Sequence, residues 1–149
     1  MDEVSEGDEA RPRTAPLETS LSLDGDSSRI AQARHVATAF LVQARDHAGV
    51  PVAQATIEIV QLIVSELVTN ARKYAPGPSV LTLRIYNALL TVELWDSSPV
   101  IPAAKTLNPE RVGQHGLEIV AALAQTLTTE PTVNGKRITA RIALDSTSS

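Results

Sequence analysis

Three polar residues near the middle of the chain have the types and spacing to bind an anionic ligand together with a metal. Glu66, Asn70 and Lys73 are separated by four and three positions, so they lie on one side of a helix. An amide oxygen is a hard ligand that suits magnesium, and a carboxylate can accept a proton from an attacking hydroxyl. The alternative is solvated helix surface, where isolated Glu-x-x-x-Asn pairs are common.

The rest of this segment favours burial beside the polar face. Apolar residues recur along it at helical spacing: Ile57, Val60, Val64, Leu67 and Ala71. A neighbouring stripe is apolar at Ile59, Leu62 and Ile63 and then becomes polar at Glu66. Because unpaired polar groups are costly to bury, a bound ligand with a metal would account for the change.

A single carboxylate follows an alternating segment further along the chain. Apolar and polar residues alternate from Leu90 to Trp95, which predicts a strand, and Asp96 comes at its end. A carboxylate that faces a cavity there can accept a hydrogen bond from an amine of a ligand. A plain turn over Asp-Ser-Ser-Pro is the alternative, and Trp95 is expected to pack rather than to stack on a ligand.

Two glycines lie just before the next predicted helix, Leu117–Ala124. Gly113 and Gly116 permit backbone conformations that direct amide groups at an anion, and the amino end of a helix adds favourable partial charge for phosphate. His115 lies between them and either contacts a phosphate or caps the loop. This segment is therefore a candidate phosphate site.

Together, the segments 65–74, 94–99 and 113–120 resemble the GHKL ATP-binding family, which includes histidine kinases, gyrase-type ATPases and a class of heat-shock chaperones. Within it, the chain is most similar to small bacterial anti-sigma-factor serine kinases. The resemblance implies ATP and Mg²⁺ as cofactors, Glu66 as general base and Asn70 as the magnesium ligand. It also implies nucleotide contacts from these residues: Asn70, Lys73, Asp96, Gly113, His115, Gly116 and Leu117.

The sequence departs from the family pattern where glycines are usual. Ser98 and Val100 stand in the box usually written Asp-x-Gly-x-Gly, and Gln114 follows Gly113 where Gly-x-Gly is usual. The first departure affects the close approach of the backbone to adenine, which glycines permit. It does not affect the expected contact between Asp96 and adenine. Both favour an alternative function, that of a non-catalytic nucleotide-binding adaptor.

By resemblance, the protein is expected to be a serine/threonine protein kinase that acts on a small antagonist protein and sequesters a sigma factor. A histidine kinase is a third possibility, but 149 residues leave no room for a dimerisation helix with a phospho-acceptor histidine. Family relatives often dimerise, so a homodimer is the default expectation.

The composition narrows the class of protein. The chain has the length of one domain, is 43% hydrophobic and has no cysteine, which fits a reducing cytoplasm. Glu58 and Glu66 interrupt the longest apolar run, so no membrane span is expected. No basic patch with aromatic residues suggests nucleic acid as a partner. Residues 1–16 carry five acidic residues and two arginines, lack a signal-peptide pattern, and are expected to be disordered.

The order of predicted elements favours an α/β two-layer sandwich with a mixed, mostly antiparallel sheet packed against helices. The resemblance implies a Bergerat fold over residues 17–144, followed by a short polar tail. We predict a strand at 17–23, helices at 28–48 and 52–74, and a hairpin of 80–86 with 90–95. A second hairpin, 126–131 with 137–144, turns at Asn134-Gly135. Residues 97–112 have three prolines and no clear period, and are predicted to form a mobile lid over nucleotide.

Overall fold

The computed structural model describes residues 16–23, 29–74, 77–97 and 114–144, and only the backbone of residues 72–74 and 114–116. The chain forms β1 (Leu17–Leu23), α1 (Arg29–Ala48), α2 (Gln54–Tyr74), β2 (Ser79–Tyr86), β3 (Leu89–Asp96), α3 (Gln114–Leu123), β4 (Thr126–Thr132) and β5 (Gly135–Ala143). The predicted tails, apart from Pro16, and the predicted turn at 24–27 lie outside the described residues. The predicted lid does too, apart from Ser97.

The five strands form one sheet in the order β1-β2-β3-β5-β4. Each of the four pairings is antiparallel. The turn between β2 and β3 consists of Asn87 and Ala88, whose φ angles of 54° and 61° are those of a turn that matches the twist of the strands. The predicted two-layer sandwich with a mostly antiparallel sheet is therefore confirmed.

One face of the sheet packs against the helices. Apolar side chains on this face are buried at every second position of β2 and β3, as the period of a strand requires: Leu81, Leu83, Ile85, Leu90, Val92 and Leu94. The predicted apolar stripe of α2 is also buried along its whole length, with each member at most 4% exposed. Helix α2 contacts both α1 and α3, so it is the central helix of the layer.

Most boundaries differ from the sequence-based predictions by one or two residues, and three of the differences have a clear structural reason. Helix α2 begins at Gln54 rather than Val52, since its first bond runs from the Ile57 amide to the Ala53 carbonyl. The last turn is Val133-Asn134, because Thr132 pairs with Gly135 and the glycine already belongs to β5.

Helix α3 begins at Gln114, three residues before the predicted start, so His115 and Gly116 lie in its first turn rather than in a preceding loop. Glycine is tolerated there because the first amides of a helix have no partner within it. Within the described residues, no helix is long and apolar enough to cross a membrane.

Candidate functional site

The ends of several elements meet at one end of the sheet. Ser79 begins β2, Asp96 ends β3 and Lys136 lies near the start of β5, and these three residues are directly opposite one another across the strands. Helix α2 ends at Tyr74, five positions before Ser79, so its carboxyl end also lies at this end of the molecule. The polar end of α2 and the carboxylate of β3 therefore lie at the same end of the molecule.

Asn70 is the buried member of the polar face of α2. Its side chain is 2% exposed, and its Nδ2 atom has no hydrogen-bond partner among the described residues. A buried amide without a partner is costly, so this group is suited to a ligand that the protein alone does not supply. Glu66, one turn earlier, is half-buried, and the Lys73 side chain lies outside the described residues.

Asp96 lies on the inner face of β3, in phase with Val92 and Leu94, and is fully buried. Its two carboxylate oxygens are 3.0 and 2.9 Å from Nζ of Lys136, which is itself 1% exposed. The carboxylate therefore ends its strand as predicted, and it lies in a buried ion pair.

Lys136 was not among the residues that the sequence singled out. A signal for it exists, since Lys136 is in phase with Ile138, Ala140 and Ile142 on the buried face of β5. A lysine at a core position of a strand is rare and is normally paired when it occurs. Its partner could not be read from the sequence because the register of β3 and β5 brings together residues 40 positions apart.

Two glycines allow close packing around Ser97, the residue after Asp96. A Cβ atom on Gly135 would overlap the Asp96 carbonyl oxygen and lie 2.8 Å from Cα of Ser97. A Cβ atom on Gly77 would lie 2.6 Å from the Ser97 hydroxyl oxygen. The packing of the chain around Asp96 and Ser97 thus depends on glycines from other segments.

The amino end of α3 carries the remaining predicted nucleotide contacts. Residues 124–125 connect α3 to β4, so the carboxyl end of the helix lies near the start of β4, which is at the opposite end of the sheet from Asp96. Leu117 is half-buried and packs against the core. Gly113 and the His115 side chain lie outside the described residues, and only the backbone of Gly116 is described, so their predicted contacts remain predictions.

Trp95 lies on the outer face of the sheet, where its indole Nε1 donates a hydrogen bond to Thr132 Oγ1 at 3.1 Å. Packing rather than stacking on a ligand is therefore its role in this structure. Arg137 lies on the same face and binds Glu130 through Nε and Nη2, at 2.9 and 2.6 Å. This hydrogen bonding raises the pKa of the Arg137 guanidinium above its ordinary value.

The described residues include no group of three or more His, Cys, Asp or Glu side chains that could enclose a metal ion. Magnesium needs no such cage, because it keeps several waters and is commonly held by one or two protein oxygens together with nucleotide phosphates. The Oδ1 atom of the buried Asn70 could supply one such oxygen, and its Nδ2 donor suits an oxygen of the phosphates.

A groove of about 680 Å³ lies between β1 and α1, away from this site. Leu17, at the start of β1, lines the groove. The other end of β1, Leu23, pairs with Ser79, which in turn pairs with Asp96. The groove therefore reaches the end of β1 that is remote from Asp96. His35 and His47 line this groove, which separates them from the candidate site.

Comparison with known proteins identifies the family. Residues 23–142 match the family described as "Histidine kinase-like ATPase domain". No curated protein matches the chain. A histidine kinase domain from the blue-light activated histidine kinase of Erythrobacter litoralis is 24% identical, with a TM-score of 0.44, over 59% of this chain and 44% of that one.

The histidine kinase AdeS of Acinetobacter baumannii is 14% identical, with a TM-score of 0.49, over 95% of this chain and 74% of that one. The chain thus spans less than half the length of the first of these two structures. The family match covers most of the sequence and includes α2, β3 and α3, the three elements that carry the predicted site. The chain belongs to the family of histidine kinase-like ATPase domains.

Proposed function

We propose that the protein binds ATP with magnesium at one end of the sheet. The binding site would consist of Asn70, Asp96 and the amino end of α3. The observation that carries this proposal is the buried Asn70 amide, whose Nδ2 has no partner in the described chain. Membership of an ATPase-domain family supplies the class of ligand. The Nδ2 donor of Asn70 would bind a phosphate oxygen of the nucleotide, and the oxygen of the same amide would hold the magnesium ion. Asp96 would accept a hydrogen bond from the adenine amine.

We further propose that the bound nucleotide donates its γ-phosphoryl group to a serine or threonine of a small antagonist protein. Glu66 is the candidate base, since its half-buried carboxylate lies one helical turn from Asn70 and can accept the proton of the attacking hydroxyl. Magnesium, when bound, would neutralise phosphate charge, and the protein would contribute mainly positioning. Sequestration of a sigma factor, a location in the cytoplasm and a homodimer belong to the same proposal and rest on the resemblance of the sequence.

A second candidate function is a nucleotide-binding adaptor that transfers no phosphate. The observation in its favour is the loss of both glycines after Asp96, at Ser98 and Val100. Gly135 lies against Asp96 from the neighbouring strand, but this contact is within the protein and does not replace a glycine beside a ligand. Binding alone therefore does not separate the two functions, and a measurement of phosphate transfer is needed.

The test compares wild type with Glu66→Gln in two assays. Calorimetry with ATP and magnesium measures binding, and labelled-phosphate transfer to a co-purified protein measures catalysis. We expect Glu66→Gln to bind ATP within about threefold of wild type and to lose transfer by about 100-fold or more, the range for a general base.

Glu58→Gln is the matched control, because Glu58 is an exposed glutamate on the same helix, two turns earlier. It should change neither assay. Transfer that persists in Glu66→Gln would contradict the role of Glu66. Binding without transfer by wild type to any co-purified protein would favour the adaptor.

A further inference from the structure

The Lys136 side chain is the most unusual group in the buried layer of the sheet. It is among the largest fully buried side chains of the described residues and shares its face of β5 with Ile138, Ala140 and Ile142. Both of its oxygen contacts in the described structure are to Asp96. An ammonium group has three N–H donors, and Lys136 makes one hydrogen bond, to Oδ1, beside an ion-pair contact with Oδ2, so at least one further donor is available.

Stability is a weak explanation for this pair. Removing two charges from water is costly, and replacement of a buried ion pair by apolar residues is often neutral or stabilising. The neighbouring positions on the same face of β5 are apolar, so an apolar residue could be accommodated at position 136. A buried ion pair at the end of a sheet, in a chain that also buries the polar side chain of Asn70, is more readily explained by a ligand.

We propose that Lys136 is a specificity-determining residue of the nucleotide site, and that its ammonium donates a hydrogen bond to ring nitrogen N1 of adenine while Asp96 accepts one from the exocyclic amine. The proposal rests on the proposed function, because it assigns a second contact to the same bound base. Lysine and aspartate together then present one donor and one acceptor, held side by side by their own ion pair.

The donor and acceptor groups of the two purines make this pair selective. On adenine, the exocyclic amine is a donor and the adjacent N1 is an acceptor, which complement Asp96 and Lys136. On guanine, the corresponding groups are a carbonyl and an N–H, so both polarities are reversed. A buried site of this kind penalises a ligand that leaves its polar groups unpaired.

The test uses two ATP analogues that each lack one of the two groups. In 1-deaza-ATP, N1 is replaced by C–H and the amine is kept. In purine riboside triphosphate, N1 is kept and the amine is missing. Calorimetry with magnesium measures the affinity of ATP and both analogues for wild type, Lys136→Met and Arg137→Met.

We expect wild type to bind ATP about tenfold or more tightly than 1-deaza-ATP, the loss expected for a hydrogen bond to a charged donor. Lys136→Met should bind ATP and 1-deaza-ATP within about twofold of each other. Loss of the amine, in purine riboside triphosphate, should weaken binding to wild type as well. Arg137→Met is the matched control, since Arg137 is the next residue and faces the opposite side of the sheet. It should keep the wild-type ratio.

Lys136→Gln provides a second variant if Lys136→Met does not fold, because a neutral amide still offers a donor to N1. It should keep a smaller preference for ATP over 1-deaza-ATP. Equal binding of ATP and 1-deaza-ATP by wild type would overturn the role of Lys136 and leave ATP binding in place. The same ratio in wild type and in the Lys136 variants would also overturn it. If wild type binds none of the three nucleotides, the proposed function itself fails.

Discussion

Gly135 lies against the backbone of Asp96, although the two residues belong to different strands. A Cβ atom at position 135 would overlap the Asp96 carbonyl oxygen and lie 2.8 Å from Cα of Ser97. This contact is between backbones, so no side-chain rotation can relieve it. The position of the candidate adenine-binding residue Asp96 therefore depends on a glycine, without a side chain, at position 135 of β5.

The first prediction is that Gly135→Ala destabilises the protein. The added methyl group has to displace the backbone of β3 or β5, which we expect to cost about 1–3 kcal/mol of the free energy of unfolding. Urea unfolding measures the loss. Gly77→Ala is the control, since the close contact of its Cβ among the described residues is with the Ser97 hydroxyl, at 2.6 Å, and that hydroxyl can rotate away. Equal losses in the two variants would contradict the explanation.

The second prediction concerns Asn70 and separates its role in binding from its role in folding. Its Nδ2 atom has no partner among the described residues, so truncation to alanine removes a buried donor that the fold does not satisfy. We expect Asn70→Ala to lose no more than about 1 kcal/mol of unfolding free energy, at the low end for a buried side chain. We also expect its magnesium-dependent affinity for ATP to fall by at least about tenfold, the scale of one lost metal ligand.

Calorimetry with ATP in magnesium and in a chelator measures the second effect, and thermal unfolding of the ligand-free protein measures the first. Glu58→Ala, on the exposed side of the same helix, should change neither. Unchanged magnesium-dependent affinity in Asn70→Ala would remove the assignment of the metal ligand.

The fold followed from the sequence where the pattern was regular, and the candidate site followed only in part. The alternation in β3 placed Asp96 at the end of its strand, and the apolar stripe of α2 placed Asn70 at the polar end of its helix. Both are local properties with a fixed period. The Lys136 partner of Asp96 and the Gly135 contact depend on the register of two strands 40 residues apart, which no local period determines.

The start of α3 was missed for a different reason. Two glycines with a histidine between them suggested a loop, yet the helix already includes Gly116. The first turn of a helix tolerates glycine, and the position of a helix end is poorly determined by composition alone.

The third prediction is that the ion pair of Asp96 and Lys136 contributes little net stability. Asp96→Ala leaves a buried ammonium without its carboxylate, and we expect a loss of about 3–5 kcal/mol of unfolding free energy. The double variant Asp96→Ala with Lys136→Met buries no charge and should recover most of that loss. Urea unfolding of both variants measures the difference.

The exposed pair of Arg137 and Glu130 is the control for this comparison. Its side chains are 40% and 54% exposed. Removal of Glu130 should cost at most about 1 kcal/mol, because solvent screens the pair. A double variant as unstable as Asp96→Ala alone would mean that the buried pair is held for stability rather than for a ligand.

The fourth prediction is that the site selects ATP over GTP and that Asp96 is required for the selection. A buried carboxylate accepts a hydrogen bond from the adenine amine, whereas it faces the carbonyl of guanine, where neither group has a proton to donate. We expect wild type to bind ATP at least about 100-fold more tightly than GTP, in the presence of magnesium.

Asp96→Asn should reduce this ratio by at least about tenfold, since an amide at position 96 can turn to donate to the guanine carbonyl. The ratio of two affinities on one variant is insensitive to a partial loss of folded protein, which matters because this change also weakens the ion pair with Lys136. Glu93→Gln, three residues earlier on the outer face of β3, is the matched control and should keep the wild-type ratio. Equal affinity of wild type for ATP and GTP would exclude Asp96 as the residue that recognises the base, whichever residue holds the phosphates.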